Sequence, residues 1–451
     1  MRLINTDTLQ LRVFLKHPPR YAILSHRWRQ NPEEEATLQR WQDFVGSSLA
    51  VLPNGCWRDR LGVEHDANRG IEKARTACKI ALKRKLVWLW VDTVCIDKTN
   101  NVELSEAINS MWRWYYESAL CLVYLEDITH ANCFQDFGKS EWFKRGWTLQ
   151  ELIAPGTMVF FGSDWSEIGT RATLEAQLSA ATGIPHEVLN DRSRVFTCSV
   201  AQKMSWAAQR STTRPEDMAY CLLGLFSINM ELLYGEGAKN AFRRLQMRIL
   251  EVNEDESIFA WTIGTVEDEV SKAILCIAGS TEHAEIHMLC AITGILATEP
   301  KHFARSGSVM LEQDYFPEIP SRITSRGVDM TRQVAELHQV GIKAADFPVV
   351  SNHGVFVDPE VQLLAVPISY SDDFSSEHTF VLVAEDVGSR PVQRWCRVHV
   401  PGVYKQRLKS MASVSGYTSL MNPLFVRVSW PAPFVYRLTT PNRRAQSFGG
   451  R

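Results

Sequence analysis

The side chains in this sequence that could do chemistry gather directly beside short apolar runs. Ser25, His26, Arg27 and Trp28 follow the run Tyr21-Ala22-Ile23-Leu24, and Asp92, Thr93, Cys95 and Asp97 follow the run LVWLWV at 86–91. Glu126 and Asp127 follow the run at 120–125. A fourth group, Arg145, Trp147, Gln150 and Glu151, stands just before the run MVFF at 158–161. An imidazole and several carboxylates can move protons or face a developing positive charge. Indole faces can stack on planar rings, and an arginine can neutralise phosphate. Each group also has a plainer use. Glu151 near a helix start complements the helix dipole, Asp92 and Asp97 can cap turns, and Cys95 can simply pack. Ser25, His26 and Asp92 contain the residue types of a hydrolase triad. That reading is disfavoured, because neighbours on a strand point to opposite faces and no nucleophile elbow surrounds the serine.

The elements that must hold these groups can be read from periodicity. Ile71, Ala74, Cys78 and Ala81 predict a helix over 70–83, and Leu104, Ile108, Met111 and Tyr115 predict another, with Asn100 and Glu103 as a capping box. The apolar runs between them are strand-sized. Buried strands alternating with helices predict a parallel sheet covered on both faces. In such a sheet ligands bind beyond the carboxyl ends of the strands, where the first three groups lie, while the fourth precedes its strand. From 173 to 250 the pattern is helical, and Thr213-Arg214-Pro215-Glu216 predicts a capping box opening a helix through 225. Beyond Trp261 the segments 361–368, 380–384, 395–400 and 425–430 are strand-like, separated by turn residues.

Composition narrows the class. The 451 residues carry 49 basic and 51 acidic side chains, a net charge of −2, so no global field recruits nucleic acid or an anionic membrane. No stretch approaches the roughly 20 apolar residues of a membrane span, and the polar N-terminus carries no apolar secretory core. None of the ten cysteines forms a C-x-x-C pair, which fits reduced thiols and a cytoplasmic location. Three further patterns are set aside. Gly138-Lys139-Ser140 has Cys133 where a phosphate loop needs its first glycine, and Gly235-x-Gly237 has Asn240 in place of the third. Cys276, His283, His287 and Cys290 are weak zinc ligands by spacing, so no metal is expected.

Seven collinear segments carry a family resemblance. They are YAILSHRW (21–28), LVWLWVDTVCIDK (86–98), ELSEAINSMWRWYYESALCLVYL (103–125), WFKRGWTLQELIAP (142–155), FFGSDWSEIGT (160–170), SVAQKMSWAAQRSTTRPEDMAYCLLGLF (199–226) and LLYGEGAKNAFRRLQ (232–246). Together they resemble the fungal heterokaryon-incompatibility (HET) domain over somewhat more than half the chain. The resemblance implies a TIR-like, flavodoxin-like α/β core at 1–170, a helical extension at 171–262, and a β-rich C-terminal domain at 263–451. It implies a role in fungal non-self recognition ending in programmed cell death. A distant similarity to Toll/interleukin-1 receptor (TIR) domains, some of which hydrolyse NAD, makes Glu151 the candidate catalytic carboxylate. Ser25, His26, Trp28, Asp92, Cys95, Asp97, Arg145 and Trp147 become candidate substrate-binding residues. The implied partners are an NAD-type nucleotide as substrate, a second copy on activation, and an upstream incompatibility sensor protein, with no cofactor. The alternative is a non-enzymatic signalling and protein-interaction module on the same fold.

Overall fold

The structure, a computed structural model, describes residues 1–261 except 30, 47–56, 59–63, 66–68 and 130–131, then 295–311 and short strand segments between 291 and 435. The chain divides into two compact units, Met1–Thr197 with Gln209–Leu245, and Cys198–Ala208 with Gln246–Arg451. The first therefore takes in the expected core and most of the expected helical extension.

The first unit is built on a seven-stranded sheet. Its strands are β1 (Arg2–Asn5), β2 (Leu11–Val13), β3 (Ala22–His26), β4 (Trp88–Trp90), β5 (Leu120–Tyr124), β6 (Met158–Phe161) and β7 (Glu167–Thr170). Their order is β2-β1-β4-β3-β5-β6-β7. The inner four, β4-β3-β5-β6, are parallel, and antiparallel strands close both edges. Among the parallel strands the first lies between the second and third, the flavodoxin-type order. The α/β expectation holds, and the sheet is mixed rather than wholly parallel. Every residue of β3, β5 and β6 is buried, as expected for strands covered on both faces.

Helix α1 (Leu38–Gly46) buries Trp41 and Phe44. Helix α2 (Arg69–Lys83) buries the stripe Ile71, Ala74, Cys78 and Ala81, as its period demands. Strand β4 is shorter than the apolar run 86–91, because Val91 already caps the one-turn helix α3 (Asp92–Cys95). Helix α4 (Asn101–Glu117) begins where expected, with the Asn100 side chain accepting from the Val102 and Glu103 amides. The reciprocal half of that capping box is absent. The Glu103 carboxylate instead pairs with Arg2 at 2.8 Å and accepts from the Asp97 amide at 2.9 Å. Helix α5 (Thr148–Ile153) precedes β6 and is buried along its whole length.

Between 173 and 250 the helical pattern resolves into short pieces. These include α6 (Glu175–Thr182), α7 (His186–Asn190), α8 (Val200–Ala207), α9 (Asp217–Tyr220) and the longer α10 (Ala238–Val252). The helix expected from 213 to 225 is broken. Glu216 sits at the N-cap of α9 without a side-chain capping bond, its carboxylate accepting instead from the amides of Gly235 and Gly237, each at 3.0 Å.

In the second unit, β8 (Leu363–Ile368) pairs antiparallel with β9 (Thr379–Glu385), and β9 with β10 (Trp395–His399). These are three of the four expected strands; of the fourth, Phe425–Val426 is described. The candidate zinc ligands at 276, 283, 287 and 290 lie outside the described residues. Among the described residues, no helix is long and apolar enough to cross a membrane, and no group of three or more His, Cys, Asp or Glu could hold a metal ion.

Candidate active site

Strand β3 connects onward to β4 on one side, while β5 flanks it on the other. The crevice beyond β3 is thus the topological switch point of the sheet, where an open α/β fold binds its ligands. Ser25 and His26 end β3, Asp92 opens the turn after β4, and Glu151 rides on α5.

Alternation along the strand sends Ser25 and His26 to different partners, as expected. The Ser25 hydroxyl donates to Glu151 Oε2 at 2.5 Å and accepts from the Trp142 indole Nε1 at 2.9 Å. All three residues are buried, with Glu151 only 7% exposed. Burial pushes the Glu151 carboxyl up to about 7, and the nearby Asp92 charge adds to that rise. Hydrogen bonds from Ser25 and Tyr115 and the charge of Arg145 oppose it. A carboxylate perturbed in this way at a switch point is a functional-site candidate. The segment bearing it is clamped. Thr148 Oγ1 donates to the carbonyl of Trp142 at 2.5 Å, and Arg210 donates to the Arg145 carbonyl and to Thr148 Oγ1, both at 3.0 Å.

His26 goes to Asp92, with Nε2 3.0 Å from Oδ1. The other Asp92 oxygen accepts from the Trp28 indole at 2.6 Å. Burial opposes charge on Asp92, but Lys98, the His26 bond and Arg145 hold its carboxyl well below the usual carboxylate range. Ser25 and His26 therefore serve two separate carboxylates, and no serine–histidine pair forms.

Trp28 is 37% exposed, and its ring is engaged by two cations. Lys98 Nζ lies 3.5 Å from the ring centroid and the Arg145 guanidinium carbon 4.7 Å from it. Trp147 donates to Asp217 at 3.1 Å, and Tyr234 donates to the other oxygen of Asp217 at 3.0 Å. Burial raises the Asp217 carboxyl despite these bonds.

The loop after Trp28 has its own anchor. Glu35 accepts from the Arg29 amide at 2.9 Å and pairs with the buried Lys73 at 3.3 Å. Gly70 at the start of α2 permits this approach, since a Cβ there would stand 2.3 Å from the Ala36 amide nitrogen. A cleft of about 370 Å³ opens between the ends of β3 and β5, lined by Arg27, Trp28, Arg29, Tyr124, Glu126 and Trp142 among others. Within it Glu126 pairs with Arg29 at 2.9 Å. Asp127 accepts from Ser140 Oγ and the Glu141 amide, both at 2.7 Å.

Two candidates sit elsewhere. The Cys95 thiol packs in the core against the Val91 amide, and burial raises it to about 12, far from a thiolate. The Asp97 carboxylate is taken up in a turn by the amide and hydroxyl of Thr99. Conversely, Trp142, Tyr115, Lys98, Asp217 and Tyr234 belong to the site without standing among the sequence candidates for it, Tyr115 being read only as part of a helix face. All five stand inside the segments that carry the family resemblance, which is the available signal.

A family model described as heterokaryon incompatibility protein (HET) matches residues 21–136, which include Ser25, His26, Asp92 and Lys98. A second, described as a domain of unknown function (DUF8212), matches residues 240–324. The chain is similar to vegetative incompatibility protein HET-E-1 of Podospora anserina, 42% identical over 242 residues. That alignment covers 52% of this chain and 16% of the relative, so the chain spans about a sixth of the curated relative's length. No solved structure matches.

Proposed function

We infer the function from one premise: this chain carries a heterokaryon-incompatibility (HET) domain. Its role is in heterokaryon incompatibility, the response named by the family and by the relative in Podospora anserina. Within that role, we propose that the domain hydrolyses the nicotinamide–ribose bond of an NAD-type nucleotide and that cell death follows from this activity. The TIR-like relationship is part of the same proposal.

One observation carries the catalytic reading. Glu151 is a buried carboxylate, raised to about 7, at the switch point of the sheet, with Ser25 and Arg145 favouring its charged form. Breaking the carbon–nitrogen bond passes through an oxocarbenium-like state. Nicotinamide leaves with the bonding electrons, water adds to the ribose carbon, and one proton is released. A carboxylate in a low-dielectric setting stabilises the positive charge as it develops. Nicotinamide needs no general acid to depart. Arg145 neutralises phosphate on the ligand, and Trp28 and Trp147 supply aromatic surface. Activation brings two copies together in response to an upstream sensor.

A second reading, a non-enzymatic interaction module, is favoured by one feature. Glu151 is buried against Ser25, which in turn holds Trp142, and the open cleft is lined by Trp142, Trp28 and Glu126 among others but not by Glu151. Expression of Glu151→Gln in a fungal host separates the two. Loss of growth arrest with folded protein still present supports catalysis; arrest that persists supports the interaction module.

A further inference from the structure

We infer that Lys98 and Arg145, flanked by Arg214, form an anion subsite that receives the phosphate groups of a small-molecule ligand. This rests on the reading of the site above, and it adds Lys98 and Arg214 to the phosphate contact that the reading gives to Arg145.

Several cations of this unit sit directly against carboxylates. Arg2 has Glu103 at 2.8 Å, Arg29 has Glu126 at 2.9 Å, and Arg84 has Glu167 at 2.6 Å. Arg145 differs. Among the described residues its guanidinium has no carboxylate partner within ion-pair distance, and it lies over the Trp28 ring instead. Lys98 lies over the same ring, and the Asp92 oxygen nearest to it is 3.8 Å away, beyond a direct hydrogen bond. Asp92 is already committed to His26 and Trp28. Two cations thus share one indole and one preoccupied carboxylate.

Arg214 adds to the group. Its guanidinium lies 4.3 Å from the centre of the Tyr234 ring, whose hydroxyl donates to Asp217. Burial, partly offset by Asp92 and Glu35, lowers the Lys98 ammonium, and Arg145 and Arg214 deepen that shift. Like charges held this close repel, and an arriving anion relieves the repulsion. A guanidinium lying over an aromatic ring keeps its N–H edges free for two parallel bonds, the geometry that phosphate oxygens accept. Trp28 is the platform in this arrangement. It holds the two cations beside the carboxylates Asp92 and Glu151 without touching the anion itself.

The test is calorimetric titration of the full chain with inorganic pyrophosphate, at low and then raised salt. Wild-type protein binds, and Lys98→Gln and Arg145→Gln each weaken binding at least about tenfold, the scale of one charge-assisted bond. Arg84→Gln, at an exposed ion pair, leaves affinity unchanged, and melting curves establish that each variant is folded. Trp28→Ala weakens binding while Trp28→Phe retains most of it. Absence of binding to wild type, wild-type affinity in Lys98→Gln and Arg145→Gln, or citrate binding as tightly as pyrophosphate each overturn the proposal. Glu151→Gln separates this inference from the catalytic reading. Pyrophosphate binding that depends on Lys98 and Arg145, in a protein that releases no nicotinamide, leaves the subsite standing and removes the catalysis. Nicotinamide release with no such binding does the reverse.

Discussion

The Ser25 hydroxyl and the Glu151 carboxylate meet at 2.5 Å across 126 residues of chain. That contact ties the end of a central strand to a buried one-and-a-half-turn helix. It also sets a contest at one carboxylate. Burial favours the neutral acid, and the donated hydrogen bond favours the anion. The outcome near neutrality lets Glu151 exchange a proton at physiological pH.

The first prediction concerns stability and pH. The folded pKa of Glu151, about 7, lies above its ordinary value of 4.5, so the native state holds the proton more tightly than the unfolded chain. Stability from this group is complete below the ordinary value and declines as pH rises through about 7. Glu151→Gln cannot ionise and escapes the decline. Its melting temperature, measured against wild type, should gain from about pH 5 to about pH 7 and level off above that. A gap that is flat across that range contradicts the assignment.

Ser25→Ala removes a donor to the charged form. The midpoint of the Glu151 titration should therefore move above about 7, followed by carboxyl signals in NMR or infrared spectra. The substitution also leaves the buried Trp142 indole N–H without its acceptor, at a cost of roughly 1–3 kcal/mol. A midpoint that falls instead would show that the hydroxyl favours the neutral acid.

Much of this arrangement was legible in the sequence, for reasons that stop at the reach of local pattern. The apolar stripe of Ile71, Ala74, Cys78 and Ala81 specified α2, and the strand period alone separated Ser25 from His26. Asn100 announced the start of α4 correctly. Partner choice over long distances was not legible. Nothing near Glu216 says that its carboxylate will bind the amides of Gly235 and Gly237. Nothing near Trp142 says that its indole will reach Ser25. Asp217 became visible as a site residue only once Trp147 and Tyr234 had converged on it.

Asp92 titrates in the opposite sense to Glu151. Its folded pKa is depressed, so its contribution is present above the ordinary carboxyl range and is lost as pH falls through the folded value. Asp92→Asn should be less stable than wild type near neutrality by roughly 1.5–3 kcal/mol, the scale of hydrogen bonds to a charged group. Denaturant melts should show that difference narrowing in acid. A difference that persists unchanged below about pH 3 contradicts the account.

Gly70→Ala tests the packing that anchors the loop after Trp28. The added Cβ would meet backbone atoms at 2.3 Å, 2.7 Å and 2.9 Å, so the chain around Ala36 must shift. The expected loss is about 1–3 kcal/mol, read from denaturant midpoints. The Trp28 fluorescence environment should change with it. Wild-type stability in the variant would mean that α2 and this loop are not held as close as described.

The most direct measurement is nicotinamide release from NAD by purified protein, followed by chromatography, with Glu151→Gln alongside and with concentrated and crowded samples included. The account predicts release by wild type and none by the folded variant, with the wild-type rate rising as pH passes through about 7. Equal release by both proteins, or silence from wild type under every condition, would contradict it.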